Sequence, residues 1–348
     1  MTAEAPDTRG TLSVRVLLAA LAAQVALFGA LLFFVLNGFP GFGPPGDAGA
    51  GRSATGRATT AAPAPTPAMP TANATTPAIS APLPAATTGL FDAKRALRLV
   101  TRQVAFGQRP AGSAALRRTA AVLRPLLPRG RFERLPRHPG LRNIVGSIPG
   151  RKPALLIGAH YDTEARPRGF VGANDSAAGT AAVIEVARAL RALRRPAGAQ
   201  EIRFVLFDGE EEADNADFYR NALRGSKAYV AAHRKQIGAM VLLDYVANKG
   251  LRLPREGTSD TRLWAQMRAA AAAVGVARVF PATTQESILD DHTPFLRAGI
   301  PAIDLIDFSY RYADTLQDTV DKLDVRALDA VGESVVELVR RRDRAGAR

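Results

Sequence analysis

Three acidic clusters, one of them carrying a histidine, each follow or lie near an apolar run in this chain of 348 residues. In "GAHYDT" (158–163) His160 stands two residues before Asp162. A histidine at a strand end can offer one ring nitrogen to a metal, while a nearby carboxylate holds the other nitrogen and fixes the tautomer. In "GANDSAAG" (172–179) Asp175 sits where a loop becomes a helix. It can cap that helix, or it can be a carboxylate shared by two metals. The small residues around it, Gly172, Ala173, Ala177, Ala178 and Gly179, allow the close backbone approach that a shared carboxylate needs. In "FDGEEEAD" (207–214) Glu210, Glu211 and Glu212 follow a strand. Adjacent residues on a turn point in different directions, so one glutamate can bind metal while its neighbour faces a water as general base; the alternative is an acidic surface loop. Asp244 ends "MVLLD", where four apolar residues lead into an acid that must be exposed, paired or metal-bound. Asp291 and His292 in "LDDHTPF" form a further acid–histidine pair.

The elements that must position these side chains alternate. Residues 91–104 and 114–127 read as helices, 144–148 and 154–160 as strands, 176–193 as an Ala-rich helix and 202–208 as a strand. Helix 227–233, strand 238–245, helix 260–274, strand 301–307 and helix 328–341 follow. Strands alternating with helices predict an α/β fold, a three-layer α/β/α sandwich whose central sheet is mostly parallel, though mixed. Acidic residues at successive strand ends are how such a sheet assembles a metal site.

The organisation expected is a short tail over 1–15, an apolar span over 16–36, a linker over 37–88 and one domain over 89–348. The span carries no charge, and Gln24 is its one strongly polar side chain. It is long enough to cross a bilayer. Arg9 and Arg15 precede it closely, whereas Arg52 and Arg57 lie further beyond it, which favours an N-terminus inside and a domain outside the cytoplasm. The protein is therefore expected at the cell membrane as a single-pass chain. The alternative is a signal sequence cleaved near 48–50, which would release a secreted domain. The linker is Pro, Ala, Thr and Gly, with little to build a core.

Cysteine is absent, so the fold needs no disulfide and any metal must be held by histidine and carboxylates. The net charge is +14, and residues 1–88 contribute little of it, with four arginines against Glu4, Asp7 and Asp47. Much of the excess is arginine on predicted helices without interleaved aromatic residues, so no nucleic-acid partner is expected.

Taken together and in this order, the motifs resemble the zinc exopeptidases typified by aminopeptidase Y and the bacterial leucyl aminopeptidases, a family that includes the glutaminyl cyclases. The resemblance rests on "FGQRPAGS", "GAHYDT", "GANDSAAG", "FDGEEE", "LRGSKAYV", "VLLDYV", "DDHTPFLRAGIPAIDLID" and "DTLQDTVDKL". It implies one zinc held by His160, Asp175 and Asp244. A second zinc would be held by Asp175, Glu211 and a residue near the C-terminus, so two Zn2+ ions are expected, with one as the alternative. Asp162 would orient His160, Glu210 would be the general base, Glu212 would lie outside the site, and Asp291 would stand behind the catalytic glutamate. The family usually supplies its last ligand as the His of a "WHT" segment; here "YADT" puts Asp314 in that place. The implied activity is aminopeptidase hydrolysis of a peptide with a free N-terminus. The alternatives are pyroglutamate formation by a glutaminyl-peptide cyclotransferase, against which the missing "WH" argues, and a metal-poor binding module that has lost catalysis.

Overall fold

A computed structural model of the chain describes residues 82–211 and 217–346. The tail, the apolar span 16–36 and the linker as far as 81 lie outside the described residues, as does Glu212. Among the described residues no helix is long and apolar enough to cross a membrane.

The elements run α1 (Ala93–Val104), α2 (Ala114–Leu123), β1 (Arg131–Arg134), β2 (Arg142–Ile148), β3 (Arg151–His160), α3 (Gly179–Ala192) and β4 (Gln200–Phe207). They continue with α4 (Phe218–Asn221), α5 (Arg224–His233), β5 (Ile237–Leu243), α6 (Thr261–Ala273), α7 (Thr293–Arg297), β6 (Ala302–Leu305) and α8 (Val325–Gly346). Side chains close the helix starts where the sequence supplies Asp or Ser: Asp92 accepts from the Arg95 amide, Ser113 from Leu116 and Asp260 from Leu263.

The six strands lie in the order β1-β2-β4-β3-β5-β6. From β4 to β6 neighbouring strands are parallel, and β2 and β1 add to β4 antiparallel. The central strands are apolar on both faces because both faces are covered. Leu155, Ile157 and Ala159 of β3 pack in a core with α1, α3, α6 and α8, while Leu156 packs on the other face with Tyr229 of α5 and Phe295 of α7. This is the predicted three-layer arrangement. The one strand that sequence reading missed is β1, "RFER", whose charged side chains are tolerated because it lies at the sheet edge.

β3 pairs with β4 on one side and β5 on the other, so the chain order reverses at its C-terminal end. Open α/β sheets form their clefts at such a point. Here it brings the ends of β3, β4 and β5 together: His160 closes β3, and Asp208 and Asp244 directly follow β4 and β5.

The expected helix 176–193 starts later, at Gly179. Before it, Ala173–Ala178 form a π-helical turn broken by non-helical backbone at Asp175 and by Ser176 at φ +79°. The break turns Asp175 away from a capping role: the α3 start has no side-chain cap. Gly179 sits so close to β5 that a Cβ there would lie 2.2 Å from the Leu243 carbonyl oxygen. Its lack of a side chain lets this turn reach the end of β5.

Candidate active site

The strand ends and the π-helical turn bring His160, Asp175 and Asp244 into one buried group. His160 Nε2 lies 3.1 Å from Asp175 Oδ1 and 3.4 Å from Asp244 Oδ1. Neither ring nitrogen of His160 makes a hydrogen bond, although both are buried. Ligands bound tetrahedrally to zinc at about 2.0–2.1 Å stand about 3.3 Å apart, close to these separations. The donor chemistry, one imidazole and two carboxylates, also suits zinc. These three residues fit the metal.

On the other side of the ring, Nδ1 lies 3.8 Å from both Asp162 Oδ1 and Glu210 Oε2. Asp162 accepts the backbone N–H of Glu210 at 3.1 Å and of Glu211 at 3.4 Å, so its carboxylate fixes the turn that presents both glutamates. His160, Glu210 and Glu211 form a second buried group of donors.

The electrostatics are those of a site built for a cation. Burial drives the Glu210 carboxyl well above its ordinary range; His160 opposes this, and Asp290, Asp291 and Asp162 add to it. Burial also raises Glu211 strongly, reinforced by Asp175 and Glu210. Asp175 is pushed up to about 7, chiefly by burial, with His160 opposing. Burial alone would depress His160, yet contacts with Asp162, Asp175 and Asp244 lift it well above its usual value. Without a cation, this cluster lowers its charge by taking up protons.

Two further groups, unassigned in the sequence reading, hold the turn. Asp318 accepts the amides of Asn174 and Asp175, and the Tyr310 hydroxyl donates to it at 2.8 Å. Arg109, fully buried, donates to the carbonyls of Gly107, Val171 and Gly172 and to Ser176 Oγ. Burial lowers its pKa to about 10 against the pull of Asp175, Asp318 and Asp162. Both residues lie inside motifs quoted above, "FGQRPAGS" and "LQDT", but nothing in their local pattern marks a residue that grips another loop's backbone.

Asp314 is placed differently from the others. It joins neither donor group. It is exposed, with φ +55°, and its Oδ1 is 3.4 Å from the Tyr245 hydroxyl, which is also 3.4 Å from Asp175 Oδ2. The tyrosine hydroxyl thus reaches both carboxylates, and Asp314 lines the cleft that also holds Asp175 and Asp244. Asp291 is fully buried near Glu210, and Asp290 lies there as well. His292 is fully buried and faces Glu256 and Asp304 rather than His160. The cleft over the centre is walled by Glu286, Ile288, Leu289, Ile306, Phe308 and Asp314.

Residues 143–339, more than half of the chain, match the family described as peptidase family M28. The chain belongs to this family. The matched region contains every metal-ligating and catalytic candidate named above. Among curated proteins, this M28 member is 26% identical over 226 residues to glutaminyl-peptide cyclotransferase of Bothrops jararaca, covering 54% of this chain and 61% of that one. It thus spans about three fifths of the length of that relative. Among solved structures, it resembles the glutaminyl cyclase of Porphyromonas gingivalis, with 30% identity and TM-score 0.64 over 73% of this chain and 99% of that one. It equally resembles a leucine aminopeptidase precursor from Bacteroides thetaiotaomicron, with 25% identity and TM-score 0.64 over 73% of this chain and 98% of that one.

Proposed function

We propose that this M28 enzyme is a zinc-dependent aminopeptidase that removes the N-terminal residue of a peptide. The observation that carries this reading is the placement of His160 Nε2 between Asp175 and Asp244, with Glu210 on the opposite side of the same ring. His160, Asp175 and Asp244 would hold the metal. Bound there, zinc supplies a positive charge that acidifies a water and polarises a carbonyl.

The chain's own residues do the rest. Glu210, fixed by its backbone bond to Asp162, takes a proton from the attacking water and returns it to the departing amine. Asp290 and Asp291 behind it raise its proton affinity, which suits a group that must take a proton from water. Glu211, Glu286 and Asp314 give the cleft a negative wall for the substrate's ammonium group. Phe308, 54% exposed, and Leu289, 44% exposed, offer apolar surface to the substrate's side chains.

A second reading has a specific observation in its favour. The curated relative and the Porphyromonas structure are both glutaminyl cyclases, and identity to the latter exceeds that to the aminopeptidase precursor. In that reaction Glu210 would carry a proton from the attacking α-amine to departing ammonia, with no water consumed. One peptide separates the two readings. With a substrate beginning in glutamine, hydrolysis releases free glutamine, whereas cyclisation releases ammonia and leaves a pyroglutamyl peptide. Free glutamine, lost in Glu210→Gln, supports the aminopeptidase; ammonia with a blocked peptide overturns it in favour of the cyclase.

The apolar span 16–36 supports tethering to a membrane with this domain outside the cytoplasm. Alkaline extraction of membranes tests it: an anchored chain stays in the pellet, and a released one does not.

A further inference from the structure

A further buried donor group does not include His160, and it touches the chemistry only through the charge of Asp290 on Glu210. Asp290, His292 and Asp304 come within ligand distance of one another, and all three are buried. His292 lies at the start of α7, Asp304 in β6, and Asp290 in the loop just before α7.

The hydrogen bonds around His292 settle its tautomer. Nε2 is 2.9 Å from Thr258 Oγ1 and 3.2 Å from Glu256 Oε2. Glu256 accepts from the Thr258 hydroxyl and amide, from Ser259 Oγ and from the Ile288 amide. Its carboxylate is thus ionised and can only accept, and the Thr258 hydroxyl spends its one proton on it. Both groups facing Nε2 need a proton from it, so Nε2 carries a hydrogen, and in the neutral ring Nδ1 has the lone pair. A carboxylate gripping the far nitrogen is the usual support of a metal-bound histidine.

That lone pair faces an acidic space. Nδ1 is 3.5 Å from Asp304 Oδ2, near the separation of two ligands on one zinc ion, and makes no hydrogen bond. Both oxygens of Asp304 and Oδ2 of Asp290 are likewise buried without a partner. An imidazole lone pair and two buried carboxylates facing one another repel unless a cation, or a proton shared by the carboxyls, lies among them.

We infer that Asp290, His292 and Asp304 form a second metal centre, specific for a divalent cation of the zinc class, separate from the one at His160. A nitrogen with two carboxylate oxygens is a donor set that zinc accepts. The bound ion ties β6 to the loop carrying Asp290 and Asp291, and so holds the acids behind Glu210. This inference is independent of whether the His160 centre hydrolyses or cyclises.

The test is zinc per chain by elemental analysis of the purified full chain, dialysed after loading with zinc chloride. Asp304→Asn keeps the side-chain volume and removes the charge. It is expected to bind one zinc fewer than the wild type while keeping what is bound at His160. An equal count in a folded Asp304→Asn overturns the proposal and means that Asp290 and Asp304 share a proton instead. Should Asp304→Asn fail to fold, zinc-edge anomalous scattering from wild-type crystals grown with zinc gives the answer. A peak between His292 Nδ1, Asp290 and Asp304 supports the centre; its absence overturns it.

Discussion

Glu210 and Glu211 are neighbours, share a buried turn and receive the same kind of charge from their surroundings, yet they are assigned different work. What separates them is direction. Glu210 Oε2 is 3.8 Å from His160 Nδ1, with Asp290 and Asp291 also acting on it, whereas Glu211 feels Asp175 most strongly. Replacing Glu210 with Gln keeps its size and removes its basicity. Turnover should fall by about 10²–10⁴-fold with zinc content unchanged, read by steady-state kinetics beside elemental analysis; full turnover would remove Glu210 from the role of base. Asp314 raises the opposite question. It is exposed on the wall of the cleft, within 3.4 Å of the Tyr245 hydroxyl, and its short carboxylate contributes to neither donor group. A histidine reaches further and binds zinc by nitrogen. Asp314→His should therefore raise the zinc count by one per chain, by completing a site with Asp175 and Glu211. An unchanged count would mean that the loop holds position 314 out of reach.

At the scale of elements, the site depends on α3 lying against the end of β5. Gly179 is the contact, and an added Cβ would meet the Leu243 carbonyl oxygen at 2.2 Å. Backbone cannot yield as a side chain can, so Gly179→Ala should destabilise the fold by about 1–3 kcal/mol in denaturant unfolding. It should also weaken zinc binding, because it moves Asp175 away from Asp244. Unaltered zinc affinity would separate the two elements. The outer side of α3 is clasped to α1 by Glu185, which accepts two bonds from the Arg95 guanidinium, at 2.8 Å each, and one from Arg188. Burial raises the Glu185 carboxyl, but these arginines outweigh it and hold the group below its ordinary 4.5. A depressed carboxyl stabilises the fold above its unfolded pKa and loses that contribution as pH falls through the folded value. Wild type should thus exceed Glu185→Gln in unfolding free energy by about 2 kcal/mol near neutrality. The gap should close as pH drops below 4.5; a gap independent of pH would assign the effect to packing.

For the whole molecule, the buried acids make the metal part of the fold's stability. Asp162, Asp175, Glu210, Glu211 and Asp244 share one buried region with a single histidine. A cation that binds only the folded chain stabilises it by about 4 kcal/mol at a thousandfold excess over its dissociation constant. Removing it with a chelator should lower the melting temperature by about 10 °C, and zinc should restore it; insensitivity to chelation would favour a metal-poor domain. Much of this was open to sequence reading. Apolar runs ending in His160 and Asp244 marked strands of a covered sheet, and the order of the motifs marked the family, because both signals are local and survive without coordinates. The strand order was not open to it, nor was the edge strand β1, whose pattern is charged. Arg109, Asp318 and Glu256 were also missed, since each works on residues 50 or more positions away or through backbone atoms that carry no sequence signal. The sequence by itself determined which side chains are present to bind a metal and take a proton. Only the tertiary structure decided which of them meet: it joined His160 to Asp175 and Asp244, put Asp314 on the cleft wall and faced His292 toward Asp304. Separations of 3–4 Å are set by how helices and strands pack, not by their spacing along the chain.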